Sequence, residues 1–276
     1  MRVGLLQLNS SDDPAANLAV TAGMISEAAQ QGATFVLTPE VTNCVSANRA
    51  WQTDVLRPED EDETLAALRR QAADLGVWVL IGSLAVKTSD PDERFANRSF
   101  LLSPKGDIVA WYDKIHMFDV QVSETETYRE SAGYRPGTRA VVADTDFASI
   151  GMTICYDVRF PYLYRKLAQA GAMILTVPSA FSPVTGAAHW HTLLRARAIE
   201  TGCYVLAPAQ TGSHLASQGR SRNTYGHSLI VAPWGEVVAD GGKEPGVIFA
   251  DLDLSKVQTA RSKVPSFSAD QMFEGP

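Results

Sequence analysis

Apolar and polar positions fall into two successive, similar series along the chain. Met1–Leu8 reads as a first strand, and Asp12-Asp13-Pro14 as a helix cap with proline in the first turn. Leu18, Ala22, Ile25 and Ala29 follow at helical spacing, and Gly32 ends the helix. The run Thr34–Thr38 predicts a buried strand. Glu59–Glu63 puts acidic residues at the start of a helix carried by Leu65, Leu68, Ala72 and Leu75. Strands are expected at Val77–Ile81, Ser99–Leu102 and Ile108–Tyr112, with Pro104-Lys-Gly-Asp107 turning between the last two. The second series has a strand at Ala148–Ile154, a helix at Tyr162–Ala170 closed by Gly171, and a strand at Met173–Val177. A loop at Pro178–Gly186, a helix at Ala188–Glu200 and a strand at Tyr204–Pro208 come next. Ser228–Val231 and Val237–Ala239 then form a hairpin around Pro233-Trp-Gly235. The polar segment Thr211–Thr224 reads either as a loose loop or as the mouth of a site. Two such series predict two packed sheets with helices outside, although periodicity alone leaves a three-layer α/β sheet as an equal contender.

Composition narrows the class. A chain of 276 residues with 45% hydrophobic content can bury a large core. No Pro/Ser-rich linker divides it, so one domain is expected over residues 1–260, with a C-terminal extension over 261–276. The net charge of −7 and the lack of a dense Lys/Arg cluster argue against a nucleic-acid partner. No apolar run approaches the roughly 20 residues of a membrane helix, so no membrane partner is expected. Met1–Leu8 is too short for the apolar region of a signal peptide. Three widely spaced cysteines, Cys44, Cys155 and Cys203, fit a reducing cytoplasm better than a disulfide scaffold, and none pairs with zinc-like spacing. No cofactor and no metal are expected.

The candidate chemistry lies at strand ends. Glu40, Lys114 and Cys155 each follow an apolar strand-like run, where open α/β sheets hold their reactive groups. A carboxylate, an ammonium and a thiol together make a base, an oxyanion stabiliser and a nucleophile. A thiol of ordinary pKa, about 8.5, needs a base at neutral pH, and a dry pocket would raise the pKa of Glu40 to suit that task. The backbone N–H of Tyr156 is the natural second oxyanion donor. Taken singly, the three residues could be a solvated Glu, a surface Lys and a structural Cys; their shared placement favours the catalytic reading. A Cys–His arrangement with His116, His189 or His191 lacks a supporting motif. His189 and His191, two apart on a helix, point to different faces and do not make a metal pair. Asp157 reads as the cap of the helix after the nucleophile. A binding or scaffold protein on a hydrolase fold is the non-enzymatic alternative, which the intact trio argues against.

The segments Leu37-Thr-Pro-Glu-Val41, Tyr112-Asp-Lys-Ile-His-Met-Phe-Asp119 and Gly151-Met-Thr-Ile-Cys-Tyr-Asp-Val-Arg-Phe-Pro161 resemble the nitrilase superfamily of carbon–nitrogen hydrolases. The resemblance spans nearly the whole chain and implies a four-layer α-β-β-α sandwich. It implies a Glu40–Lys114–Cys155 triad, with Glu130 holding Lys114 or orienting substrate. It also implies that Arg159, assisted by Thr185, contacts a substrate carboxylate; a structural ion pair of Arg159 with Asp157 is the alternative. The implied substrate is a small carboxylate-bearing amide. Two amidase branches look closest, one acting on deaminated glutathione and one, the omega-amidases, on alpha-ketoglutaramate-like acids. His189–Tyr204, Tyr128-Arg-Glu-Ser131 and Tyr225-Gly-His-Ser228 look more like the first. The resemblance further implies a homodimer or larger homo-oligomer, with the C-terminal segment reaching across the interface.

Overall fold

The computed structural model describes residues 1–89, 91–122, 124 and 126–275. The first half contains β1 (Arg2–Gln7), α1 (Pro14–Gln30), β2 (Phe35–Leu37), α2 (Arg49–Val55), α3 (Glu63–Leu75), β3 (Trp78–Val86), β4 (Ala96–Leu102) and β5 (Ile108–Asp113). A ribbon of β6 (Asp119–Gln121) and β7 (Thr127–Arg129) leads to the second half, which opens with β8 (Val141–Asp144) and β9 (Ser149–Met152). There follow α4 (Pro161–Gln169), β10 (Ile174–Thr176), α5 (Pro183–Thr201) and β11 (Tyr204–Ala207). The chain continues through β12 (Thr211–His214), β13 (Arg222–Tyr225), β14 (Leu229–Val231), β15 (Val237–Asp240), β16 (Gly246–Asp251) and α6 (Ser255–Lys263).

Two six-stranded sheets result, ordered β16-β1-β2-β3-β4-β5 and β15-β14-β11-β10-β9-β8. Each has three parallel strands at its centre, β1–β2–β3 in one and β9–β10–β11 in the other, with antiparallel strands outside. The alternation of side chains sets the layers. Val3, Leu5, Phe35 and Leu37 pack with Ile150, Met152 and Ile174 in one core. Leu6, Val36 and Val79 face the other way, into a core with Ile25 of α1 and Leu65 and Leu68 of α3. Leu163 and Leu167 of α4, with Trp190 and Leu194 of α5, cover the second sheet. The result is a four-layer α-β-β-α sandwich, and the three-layer contender falls because there are two six-stranded sheets whose facing side chains share one core.

Three local expectations change. The loop expected over Pro178–Gly186 is shorter, because α5 begins at Pro183 with proline in its first turn. The segment Thr211–Thr224 is no loose loop: β12 and β13 pair within it as an antiparallel ribbon. Helix α2, too short to show periodicity, was not foreseen; the Asn48 side chain caps it by accepting from Trp51 N at 3.1 Å. At the end of the chain, α6 crosses the division expected after residue 260. The following residues dock on α4, where Arg165 donates to Asp270 and Gln169 donates to the Phe267 carbonyl at 3.0 Å. Pro276 of the expected extension lies outside the described residues. Among the described residues, no helix is long and apolar enough to cross a membrane.

Candidate active site

The reactive groups meet where the carboxyl ends of the central strands of both sheets face each other. Glu40 sits in the turn after β2. The side chain of Ser83, at an irregularity in the β3–β4 register, accepts from Val41 N at 2.7 Å and braces that turn. Gly82 beside it has no room for a side chain. An added Cβ would lie 2.0 Å from the Thr38 carbonyl oxygen and 2.5 Å from Pro178 of the opposite sheet. Pro178 in turn accepts from Cys155 N at 2.9 Å, so this close approach joins the turn of the carboxylate to the turn of the thiol. Cys155 itself has φ of +51°, an uncommon backbone state for a residue with a side chain. Lys114 directly follows β5 and is fastened by Lys114 N to the Asn97 carbonyl and by Gly137 N to its own carbonyl.

A set of hydrogen bonds defines the ionic centre. Lys114 Nζ donates to Glu40 Oε1 at 2.9 Å and to both Glu130 oxygens at 2.8 Å. Asn97 Nδ2 donates to Glu40 Oε1 at 2.8 Å, and Ala180 N donates to Glu40 Oε2 at 2.8 Å. Phe118 N donates to Glu130 Oε2 at 2.6 Å. The Cys155 thiol and the Glu40 carboxylate are close enough to act on each other electrostatically. Glu40 and Lys114 are 3% and 2% exposed, so these charges are strong in effect and costly to leave unpaired.

Burial by itself would raise the pKa of Glu40, but Lys114 and then Arg222 outweigh it and hold the carboxyl below its ordinary value. This corrects the expectation of a raised Glu40: the pocket is dry, but two cations reach it. Burial would depress Lys114, yet Glu130 and Glu40 hold the ammonium well above its ordinary value. Burial, then the adjacent Glu40 charge, pushes the Cys155 thiol well up. At neutral pH the centre therefore rests as carboxylate, ammonium and thiol. Cys44 and Cys203 are also buried, and burial pushes Cys44 up to about 12 and raises Cys203; what sets Cys155 apart is the adjacent Glu40 and Lys114.

Asp157 does more than cap a helix. Its buried carboxylate accepts from Ile154 N at 2.9 Å and Tyr112 Oη at 2.7 Å. It also accepts from His116 N at 3.1 Å and contacts His116 Nδ1 at 2.6 Å. It thus ties the segment after Lys114 to the turn of Cys155. Its partners are these groups and not Arg159, and His116 belongs to this tie, stacked on Phe160.

The centre opens into a cavity of about 740 Å³. Tyr156 lines it, edge-on to Phe118 and Phe160. Thr185 lines it too, and among the described residues its buried Oγ1 has no hydrogen-bond partner. Arg159 is not in the lining. Its guanidinium lies 5.9 Å from the Tyr156 ring and 5.4 Å from the Phe181 ring, and 3.3 Å from His189 Nδ1. Two lining residues escaped the sequence reading. Arg222 of β13 donates from Nη2 to the Ala180 carbonyl at 2.8 Å, while its buried Nε has no partner among the described residues. Asn97 of β4 left only one trace, an amide inside an otherwise strand-forming run; Arg222 left its charge in a polar segment.

The carbon–nitrogen hydrolase family matches this chain over residues 2–262. A deaminated glutathione amidase of Mus musculus is 40% identical over 268 residues, covering 96% of this chain and 81% of the relative. Among solved structures, the C. elegans NitFhit protein superposes with a TM-score of 0.89 at 36% identity, covering 98% of this chain and 65% of that one. Saccharomyces cerevisiae Nit3, a member of branch 10 of the nitrilase superfamily, gives 0.83 at 29% identity and covers 98% and 96%. With a match of this extent over a site so arranged, the chain belongs to the carbon–nitrogen hydrolase family and is a hydrolase of carbon–nitrogen bonds other than peptide bonds.

Proposed function

We propose that the protein hydrolyses the amide bond of deaminated glutathione through a thioester on Cys155. The observation that carries this reading is a large cavity joining a buried thiol–carboxylate–ammonium centre to an arginine-bearing rim. Arg49, Arg129, Arg220 and Arg222 all line it. A substrate with a carboxylate at each end of its length suits such a rim. A five-carbon keto-acid amide, the omega-amidase substrate, would leave much of the 740 Å³ unfilled. The similarity to deaminated glutathione amidases points the same way.

The chemistry follows from the hydrogen bonds. Cys155 sulfur attacks the amide carbon as its proton passes to Glu40, the carboxylate beside it. Because Glu40 is a weak base at rest and the thiol a weak acid, the proton moves only as the carbon–sulfur bond forms. Lys114 Nζ and the Tyr156 backbone N–H stabilise the oxyanion. The oxyanion collapses, the carbon–nitrogen bond breaks, and Glu40 returns the proton to the departing amine. Glu40 then takes a proton from water as it attacks the thioester, releasing the acid and restoring the thiol. Glu130 holds Lys114 with both of its oxygens. Thr185 Oγ1 and the free Nε of Arg222 are the groups placed to bind substrate, with Arg159 bracing the Phe181 and Tyr156 walls.

The same reading makes the protein at least a homodimer. Val264, Met272 and Phe273 are 51%, 100% and 85% exposed on the docked C-terminal tail, and a second copy would cover them. Light scattering of the full chain and of one ending at Lys263 tests that part. Three free, buried cysteines suit a cytoplasmic setting. The activity is tested by supplying deaminated glutathione and alpha-ketoglutaramate separately and measuring Cys-Gly, ammonia and the keto acid released. A higher kcat/KM for deaminated glutathione is expected. A preference for alpha-ketoglutaramate moves the protein to the omega-amidase reading, and turnover of neither overturns both.

A further inference from the structure

Away from the catalytic cavity, three metal-capable side chains converge from three separate elements. His191 projects from the middle of α5, His227 from the turn between β13 and β14, and Asp240 from the end of β15. One ligand atom of each lies within 4.8 Å of the others. His191 Nε2 is 2.9 Å from Asp240 Oδ2, and His227 Nδ1 is 2.9 Å from Asp240 Oδ1. The carboxylate therefore already sits between the two ring nitrogens.

The backbone is arranged to bring His227 there. His227 adopts φ of +57°, unusual for a residue with a side chain. Its N–H donates to the Gly242 carbonyl at 2.7 Å, and its own carbonyl accepts from Trp190 Nε1 at 2.8 Å. Trp190 is the α5 neighbour of His191, so the same contact registers both imidazoles against each other. One side of the cluster is open: the side chains of His191, His227 and Asp240 are 36%, 20% and 33% exposed. Two imidazoles and one carboxylate with an open side form a donor set for a first-row divalent cation, and closing the rings around an ion needs shifts of only about 1 Å.

We propose that His191, His227 and Asp240 bind a zinc-class divalent cation that clasps the rim of the substrate cavity. The route to the rim is short. Tyr225 stacks on His227 with ring centroids 4.6 Å apart. Tyr225 also packs so closely on Gly186 of α5 that a Cβ there would lie 2.3 Å from its ring. It is the last residue of β13, the strand that carries Arg222. A bound ion would fix α5, whose first turn presents Thr185, against the strand that presents Arg222. The site is structural: it lies outside the lining of the cavity and takes no part in the chemistry.

The test uses the full chain in a Cys155→Ala background, so that the nucleophile cannot bind metal, after chelator treatment and dialysis. Cobalt chloride is titrated while visible absorption is followed, then zinc chloride by calorimetry. One saturable site per chain is expected, with zinc displacing cobalt and raising the Tm. His191→Ala and Asp240→Asn should each weaken binding by about tenfold or more, since disturbing even the groups that orient metal ligands has that cost. A parent chain that binds no cobalt or zinc overturns the proposal. So does binding that is unchanged in both variants, which would place any ion elsewhere. Circular dichroism of both variants, expected to match the parent, separates lost binding from lost folding.

Discussion

On the floor of the cavity, both oxygens of Glu40 and both oxygens of Glu130 accept hydrogen bonds, and Lys114 donates to both carboxylates. At the rim, Thr185 Oγ1 and Arg222 Nε are buried with no partner among the described residues. On the floor, Asn97 Oδ1 shares that condition among the described residues. Buried polar atoms are normally satisfied, so the contrast separates two tasks. The charges of the floor are already paired, which suits the proposed role of stabilising a transition state. The unpartnered groups of the rim suit the proposed role of binding substrate. Changes to the floor should therefore act on kcat, and changes to the rim on KM.

The largest effect is expected at Cys155, the proposed nucleophile. Cys155→Ala should cut turnover by about 10⁴-fold or more while leaving Tm nearly unchanged. With a slow substrate, mass spectrometry should find the acyl adduct on the Cys155 peptide. An adduct on Cys44 or Cys203 would remove Cys155 from the floor.

Lys114→Met should lower kcat by about 10²-fold to 10³-fold through loss of an oxyanion donor. It also leaves Glu40 and Glu130 facing each other without a cation, which should cost about 3–5 kcal/mol in urea denaturation. Adding Glu130→Gln should recover part of the stability and none of the turnover. If both return together, Lys114 serves only to neutralise charge. Lys114→Arg should not rescue, because the planar guanidinium does not fit a site built for one nitrogen.

The rim is probed by Arg222→Met, expected to raise KM for a carboxylate-bearing amide by about 10-fold to 100-fold, the worth of a charged hydrogen bond. A neutral amide should be affected far less. Arg159→Ala should have a smaller effect, because Arg159 stands beside the lining. Equal losses on charged and neutral substrates would show that Arg222 supports structure instead.

The smallest effect concerns the anchor of the rim ribbon. His214 is 2.7 Å from the Ser10 carbonyl and 2.7 Å from Thr224 Oγ1. Burial lowers its pKa from 6.5 to about 4. Between those values the unfolded chain binds a proton that the fold does not. Stability should thus be full above pH 6.5 and fall towards pH 4, by up to about 3 kcal/mol. Urea midpoints at pH 7.5 and 4.5 should differ less in His214→Gln than in the unchanged protein. Parallel losses in the two would show that acid weakens the fold elsewhere.

The same contrast explains what could be read from the sequence. Strands β2, β5 and β9 are marked by apolar runs, and Glu40, Lys114 and Cys155 follow them directly, so the floor shows in one dimension. Asn97 and Arg222 reach the cavity from an antiparallel strand and a ribbon, where no periodic signal says which way a polar side chain points. The lowered pKa of Glu40 was not legible either, because it depends on Arg222, remote in sequence and close in space. The helical start at Pro183 was hidden by proline and Gly186, residues that more often mark breaks.

The pairing of β1 with β16 has a consequence for how the molecule is made. Arg2 lies opposite Asp251, and the terminal amine donates to the Leu252 carbonyl at 3.0 Å. During synthesis, β1 must wait with one edge open until the chain has been made as far as β16. Glu40, Lys114 and Cys155 emerge long before that edge is closed. Folding during translation can thus collect the three candidate groups early, but the sheet that frames Glu40 and Lys114 is completed only when β16 follows.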